Sequence, residues 1–302
     1  MPFSKTPFNA KYSISVIAAS TLVLSAACQA QNEAETPLNS QNISETSVTI
    51  TTPSELKFQP LNPARGDAAP QAGVLWGDIM KDVPSGVILR FADGFSSPPH
   101  IHNITYRAVV IEGHIHNDDP EAAKMWMGPG SYWTQPAGEP HITAAKPGNA
   151  GVAFLEIFSG PYLVQPSSEA FDDGELPINL VPSNMVWLSP EDTNWITAKQ
   201  GTAAELTFLW GQPIAGEASG SLVKLGKGVD ATLTTDGEHM DAVLIQGTLK
   251  YPSVKAAETR TLEAGSHIQS KGIVSHELSC EVAKCLIYIR GKGTYNLTAS
   301  KS

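Results

Sequence analysis

The residues best suited to chemistry lie between Gly94 and Ala145. Pro99-His100-Ile101-His102 sets two imidazoles two positions apart. Side chains alternate faces along an extended strand, so His100 and His102 point the same way, and Tyr106 shares their parity. A third imidazole, His141, follows the turn-rich stretch Pro136-Ala137-Gly138-Glu139-Pro140. Strands on either side of a barrel can bring all three to one divalent transition metal. Imidazole nitrogen suits Fe(II), Zn(II), Ni(II) or Cu(II), and Fe(II) or Zn(II) is expected here. Three neutral imidazoles cancel none of the ion's charge. Water at an open position then becomes more acidic, and an anionic or chelating small molecule is drawn in. Tyr106 is placed to donate a hydrogen bond or relay a proton; direct ligation would need a depressed phenol pKa.

The spacing resembles the two motifs of the cupin superfamily. The first is matched by Gly94, His100, His102 and Gly113, with Tyr106 where the family carries Glu. The second is matched by Gly130, Pro136, Gly138 and His141, with Ala145 in place of the closing Asn. The chain also looks like a bicupin family without assigned function, related to the cupin part of a zinc-dependent anti-sigma factor. The resemblance implies double-stranded β-helix (jelly-roll) barrels and a metal held by His100, His102 and His141. Lacking the Glu ligand, the site is similar to cupins that cleave diketones or oxidise thiols with Fe(II) and O2. Two functional readings follow. One is a metalloenzyme, dioxygenase-like or a lyase or hydrolase, acting on a small oxygen-bearing chelating substrate. The other is a non-catalytic cupin that binds or senses a metal or small ligand.

Elements of the right kind surround these residues. Gly and Pro recur, 25 and 22 times, between short apolar runs such as Gly86–Phe91, Ala108–Ile111 and Val152–Phe158. Short β-rich runs separated by turn signals predict an all-β sandwich or barrel. The second half echoes the first. Leu75-Trp76-Gly77 returns as Leu209-Trp210-Gly211, and Gly86, Gly94 and Gly113 return as Gly220, Gly228 and Gly247, all at an offset of 134. Gly130 and His141 return as Gly265 and His276 at 135. Such self-similarity means a duplicated unit, and the expected domains are 56–165, bearing the metal site, and 166–302, with a degenerate one. In the second copy Thr234, Asp236 and Met240 replace His100, His102 and Tyr106. Only His276 keeps a ligand type, with Asp236 as its one candidate partner, while alternation aims His239 at the other face. A second pair, His114 and His116, runs into Asn117-Asp118-Asp119-Pro120, which reads as a turn and a solvent-facing pair; the alternative is that one ring joins the site. Met125, Trp126, Met127, Tyr132 and Trp133 supply material for a pocket wall or for the core.

The chain's start reads as an export leader over 1–28. Lys5 and Lys11 precede an apolar stretch from Ile14 to Leu24, too short for a span, and small residues lead to Cys28. Cleavage before Cys28 with lipidation of that cysteine is expected; the alternative is cleavage after Ala30 and a soluble periplasmic protein. Residues 29–55, rich in Ser, Thr, Asn, Gln and Glu, read as a flexible tether. In this reading only the lipid touches the membrane, and whether the periplasmic domain pairs as a homodimer stays open. A net charge of −10 and the lack of any basic block argue against nucleic acid. Apart from Cys28, the chain holds only Cys280 and Cys285, which flank a hairpin tip. In an oxidising compartment these pair as a disulfide; otherwise they remain free strand thiols.

Overall fold

The computed structural model describes residues 47–252 and 259–301. The expected leader, the expected lipidation position Cys28 and most of the expected tether lie outside these residues. The described chain is all-β, and its only helical pieces are short 3-10 turns such as Pro53–Glu55 and Pro63–Ala68.

The apolar runs become strands buried on both faces. A seven-stranded sheet orders Ile178–Leu180, Tyr132–Gln135, Tyr106–Glu112, Gly151–Ile157, Ser85–Phe91, Gln71–Trp76 and Phe58–Pro60. On one face, Val87, Leu89, Val110 and Leu155 pack with Ile115 and Ala145 of a short opposing ladder, Ile115–Asp118 against Ile142–Ala145. On the other face, Ile88, Val109 and Phe154 meet Leu222, Val243 and Tyr288 of the second half. The second half is two packed six-stranded sheets with their own core, including Leu206, Val223, Leu233 and Leu278. The two large sheets thus lie back to back. That is why these runs are continuously apolar rather than alternating: a strand covered on both sides has no solvent face.

The duplication is visible in register as well as in sequence. Trp76 opposes Gly86 across a bulge, and Trp210 opposes Gly220 across another. At both glycines a Cβ would sit within 2.3 Å of the tryptophan ring, so only Gly fits. Glu156 opposes Gly86 on one side and Arg107 on the other; Arg290 likewise opposes Gly220 and Asp241. Equivalent residues therefore meet across the interface. Phe154 packs on Tyr288 at 5.1 Å, and Glu156 faces Arg290 at 3.3 Å. The charges are swapped between copies, and the half-buried Arg290 bridges the buried carboxylates Glu156 and Asp241, at 3.3 and 3.2 Å.

Two boundaries differ from expectation. Ser47–Thr51 is a strand paired with His267–Lys271 of the second half, so these residues are not part of the tether expected through residue 55. Val164–Pro166 and Ile178–Leu180 pair with His100–His102 and Tyr132–Gln135 of the first half, past the expected boundary at 165/166. The strand leading into each half belongs to the sheet of the other. Backbone groups at a sheet edge need partners, and each copy supplies the other's. Cys280 and Cys285 are disulfide-bonded, but not across the expected hairpin: Val274–Cys280 and Lys284–Lys292 lie in different sheets, so the bond ties the corner where the chain passes from one sheet to the other.

Candidate metal centre

Backbone pairing assembles the three imidazoles. The amide of His100 donates to the carbonyl of His141 at 3.1 Å, and the amide of His141 donates back at 3.0 Å. Residues that exchange both bonds in an antiparallel pair stand directly opposite with side chains on one face. Strand parity then adds His102, whose carbonyl accepts from the Gly138 amide at 2.8 Å. Gly138 has φ +73°, and a Cβ there would lie 2.3 Å from the Phe171 carbonyl, so the turn that delivers His141 requires glycine. Each histidine offers one ligand atom, and the three lie within 4.8 Å of one another.

The ring tautomers follow from the partners. His100 Nδ1 lies 2.9 Å from the Pro98 carbonyl, His102 Nδ1 2.8 Å from that of Leu163, and His141 Nδ1 3.0 Å from that of Glu139. A carbonyl only accepts, so each Nδ1 carries the proton and each Nε2 is left with a lone pair. All three rings are buried and held neutral. Burial, then the charge of His100, pushes His141 down to about 3. Burial, with the charges of His141 and His100, puts His102 well below the ordinary imidazole value; burial also lowers His100. Convergent neutral imidazoles with backbone-fixed Nδ1–H groups fit a divalent transition metal, since such ligands must be deprotonated and oriented from behind.

Tyr106 faces this cluster, as its parity predicts. It is 2 % exposed, and its hydroxyl donates to Asn117 Oδ1 at 2.8 Å, with His141 Nε2 3.5 Å away. Burial, partly offset by hydrogen bonds from its neighbours, pushes the phenol up to about 12; it stays protonated, a donor rather than a ligand. Thr143 Oγ1 donates to the same Asn117 oxygen at 2.7 Å. Asn117 Nδ2 donates to Gln135 Oε1 at 2.8 Å, and Gln135 Nε2 to the Glu139 carbonyl at 3.1 Å. That carbonyl also accepts from His141, so one buried network runs from Tyr106 to the ring it faces.

Asn117 is not the turn residue its Asp-Asp-Pro context suggests. It sits in the strand Ile115–Asp118, where alternation turns it inward and His116 outward. His116 is itself buried, 6.1 Å from Trp126, rather than solvent-facing, and neither it nor His114 belongs to the cluster. Of the five aromatic and sulfur residues nearby, Trp133 lines a cavity and Met127 is core, while Tyr132 faces the other half. Tyr162 had no signal in the sequence. It lies outside any strand, and its hydroxyl donates to His102 Nε2 at 3.0 Å while its ring stacks on His102 at 4.1 Å. Loop residues carry no periodicity, so only tertiary placement reveals them.

His100 and His102 of the trio line a cavity of about 240 Å³, with His141 packed behind them. Its walls are largely apolar, with Leu89, Phe91, Phe95 and Leu155 among them; His100, His102, Tyr106 and Tyr162 are the polar floor. In the second half, His276 is buried but both ring nitrogens are taken, by the Tyr251 hydroxyl at 2.8 Å and Ser270 Oγ at 3.0 Å. Asp236 is exposed and bonded to Thr294 rather than partnering His276. His239 points to the interface, as its parity predicts, and meets Asp241 at 2.7 Å. Among the described residues the first-half trio is the one histidine cluster with metal-ligand spacing.

Comparison with known proteins agrees with this architecture. Residues 49–298 match the family model described as "Domain of unknown function (DUF4437)". A candidate dioxygenase of Nostoc punctiforme is similar with a TM-score of 0.59 and 14% identity, covering 82% of each chain. Protein Ylba of E. coli, of family-model DUF861, has a TM-score of 0.53 at 14% identity, over 81% of this chain and 90% of that one. A salicylate 1,2-dioxygenase of Pseudaminobacter salicylatoxidans has a TM-score of 0.51 at 15% identity, over 82% and 84%. No curated protein matches the sequence.

Proposed function

Because this chain belongs to the DUF4437 family, a cupin family with no assigned function, its activity has to be read from the site, and we propose that it is a mononuclear metal-dependent cupin acting on a small oxygen-bearing molecule. The observation that carries this reading is the set of three Nε2 lone pairs, each fixed by an Nδ1–H bond to a backbone carbonyl, converging at the base of an apolar cavity that His100 and His102 line. His100, His102 and His141 would hold Fe(II) or Zn(II). Bound there, Fe(II) would supply O2 activation, and Zn(II) the polarisation of a carbonyl or of water. The dioxygenase named among the structural neighbours supports the first of these reactions.

The chain's own residues do the rest. The apolar walls exclude water and strengthen every polar contact at the floor. Tyr162 carries a proton at its hydroxyl, now resting on His102 Nε2. Once that lone pair is engaged, the same O–H is free to donate to a substrate oxygen. Tyr106, through Asn117 and Gln135, holds the Glu139 carbonyl and therefore the orientation of His141.

Metal analysis of protein from its native source, followed by oxygen uptake with diketones, tests the proposal. One iron per chain with substrate-dependent oxygen consumption is the expected result. One zinc with none would leave only the lyase or hydrolase branch, and failure to bind either ion would remove the site. A second reading, binding or sensing without turnover, is favoured by one observation: among the described residues no Asp or Glu lines the cavity to serve as a general base. Export, lipidation of Cys28 and a periplasmic location belong to the same proposal. Palmitate labelling that disappears in Cys28→Ala is the expected outcome.

A further inference from the structure

Among the described residues, the cavity is lined by one full cation and no anion. Arg65, on the turn Pro63–Ala68, lines it beside the apolar walls, and no carboxylate does. Arg65 is exposed whereas the floor residues His102 and Tyr106 are each 2 % exposed, so the guanidinium stands at the outer rim. It lies 6.0 Å over the ring of Phe95, another lining residue. A guanidinium presents paired N–H donors that match a carboxylate in two-point geometry. Above low-dielectric walls its field draws in a charge of opposite sign.

We infer that the cavity takes a small carboxylic acid in ionised form, with its carboxylate on Arg65 at the rim. The apolar body lies against Leu89, Phe91, Phe95 and Leu155, and a second oxygen function reaches the histidines. Only this last contact rests on the metal-site reading. Arg65 is then the residue that selects acids over neutral molecules of the same shape.

Isothermal titration calorimetry with 3-phenylpropanoate and its neutral isostere 3-phenylpropanamide tests this. The proteins are wild type, Arg65→Gln and Arg65→Lys, each metal-loaded and chelator-stripped. The wild type should prefer the carboxylate by about 10- to 100-fold in both metal states, the range of a charge-assisted bond. Arg65→Gln should abolish the preference and Arg65→Lys should keep most of it. Equal binding of the two probes, or binding of neither, overturns the inference. A preference that survives Arg65→Gln but vanishes on metal removal puts the carboxylate on the histidines; the Arg65 assignment then fails and the metal centre stands. An Arg65-dependent preference in protein that loads no metal has the opposite meaning: the acid site stands and the metal reading falls.

Discussion

At the scale of the residue, the decisive feature is which ring nitrogen holds the proton. Nδ1–H bonds to carbonyls leave Nε2 an unprotonated acceptor on His100, His102 and His141, which converge within 4.8 Å, with the Tyr162 hydroxyl resting on that of His102; His276 has hydroxyls on both nitrogens and belongs to no such cluster. His102→Ala should therefore abolish metal loading while His276→Ala leaves it intact, as read by elemental analysis; equal losses would refute a single working site. Asn117→Ala should lower metal affinity by about 10–100-fold without touching a ligand, because it cuts the network that orients His141; a metal-competition titration reads this. His276 also sets a pH dependence. Burial pushes it down to about 4, below its value in the unfolded chain. The unfolded state thus binds the proton first, so stability is full above about pH 6.5 and falls as pH drops toward 4, by roughly 1.4 kcal/mol per unit at the steepest. Urea unfolding of metal-free protein at several pH values should show at least this slope, and His276→Gln should make it shallower without abolishing it, because burial lowers His100, His102 and His141 as well. The three ligands were legible because strand parity and a turn suffice to align them. Asn117 and Tyr162 were not, one because Asp-Asp-Pro imitated a turn, the other because it sits in a loop.

At the scale of the element, the site depends on one short antiparallel contact, His100 against His141, and on the turn that feeds it. Gly138→Ala introduces a Cβ 2.3 Å from a carbonyl oxygen at a positive φ. Adopting that conformation costs an L-residue about 1–2 kcal/mol before the clash is counted. The variant should lose metal affinity although every ligand remains, because His141 can no longer be delivered in register. Metal binding as tight as wild type would show that the turn is free to rearrange. The same region explains why a rigid platform is needed. Three side chains from two strands must share one point, and sheet hydrogen bonds fix their spacing more firmly than a loop would.

At the scale of the whole molecule, two copies of one unit have become interdependent. Ser47–Thr51 completes the sheet of the second half and Ile178–Leu180 that of the first. Between them lie Glu156 and Arg290, 1 % and 11 % exposed. Segments 56–165 and 166–302 expressed separately should each fail to give a cooperative unfolding transition, since each lacks an edge strand and exposes one face of a large sheet. A folded, monomeric 56–165 would contradict this. Arg290→Met alone should destabilise by about 3–5 kcal/mol by stranding a buried carboxylate, measured by denaturant unfolding. By itself the sequence determined the all-β class, the duplication and the identity of the three converging histidines, because these rest on short-range periodicity and on spacing repeated along the chain. Only the tertiary structure decided where one half ends, which residues hold the ligands from behind, and that the cavity carries a lone cation at its rim. Those features arise from pairings between segments far apart in the chain, for which local spacing carries no signal.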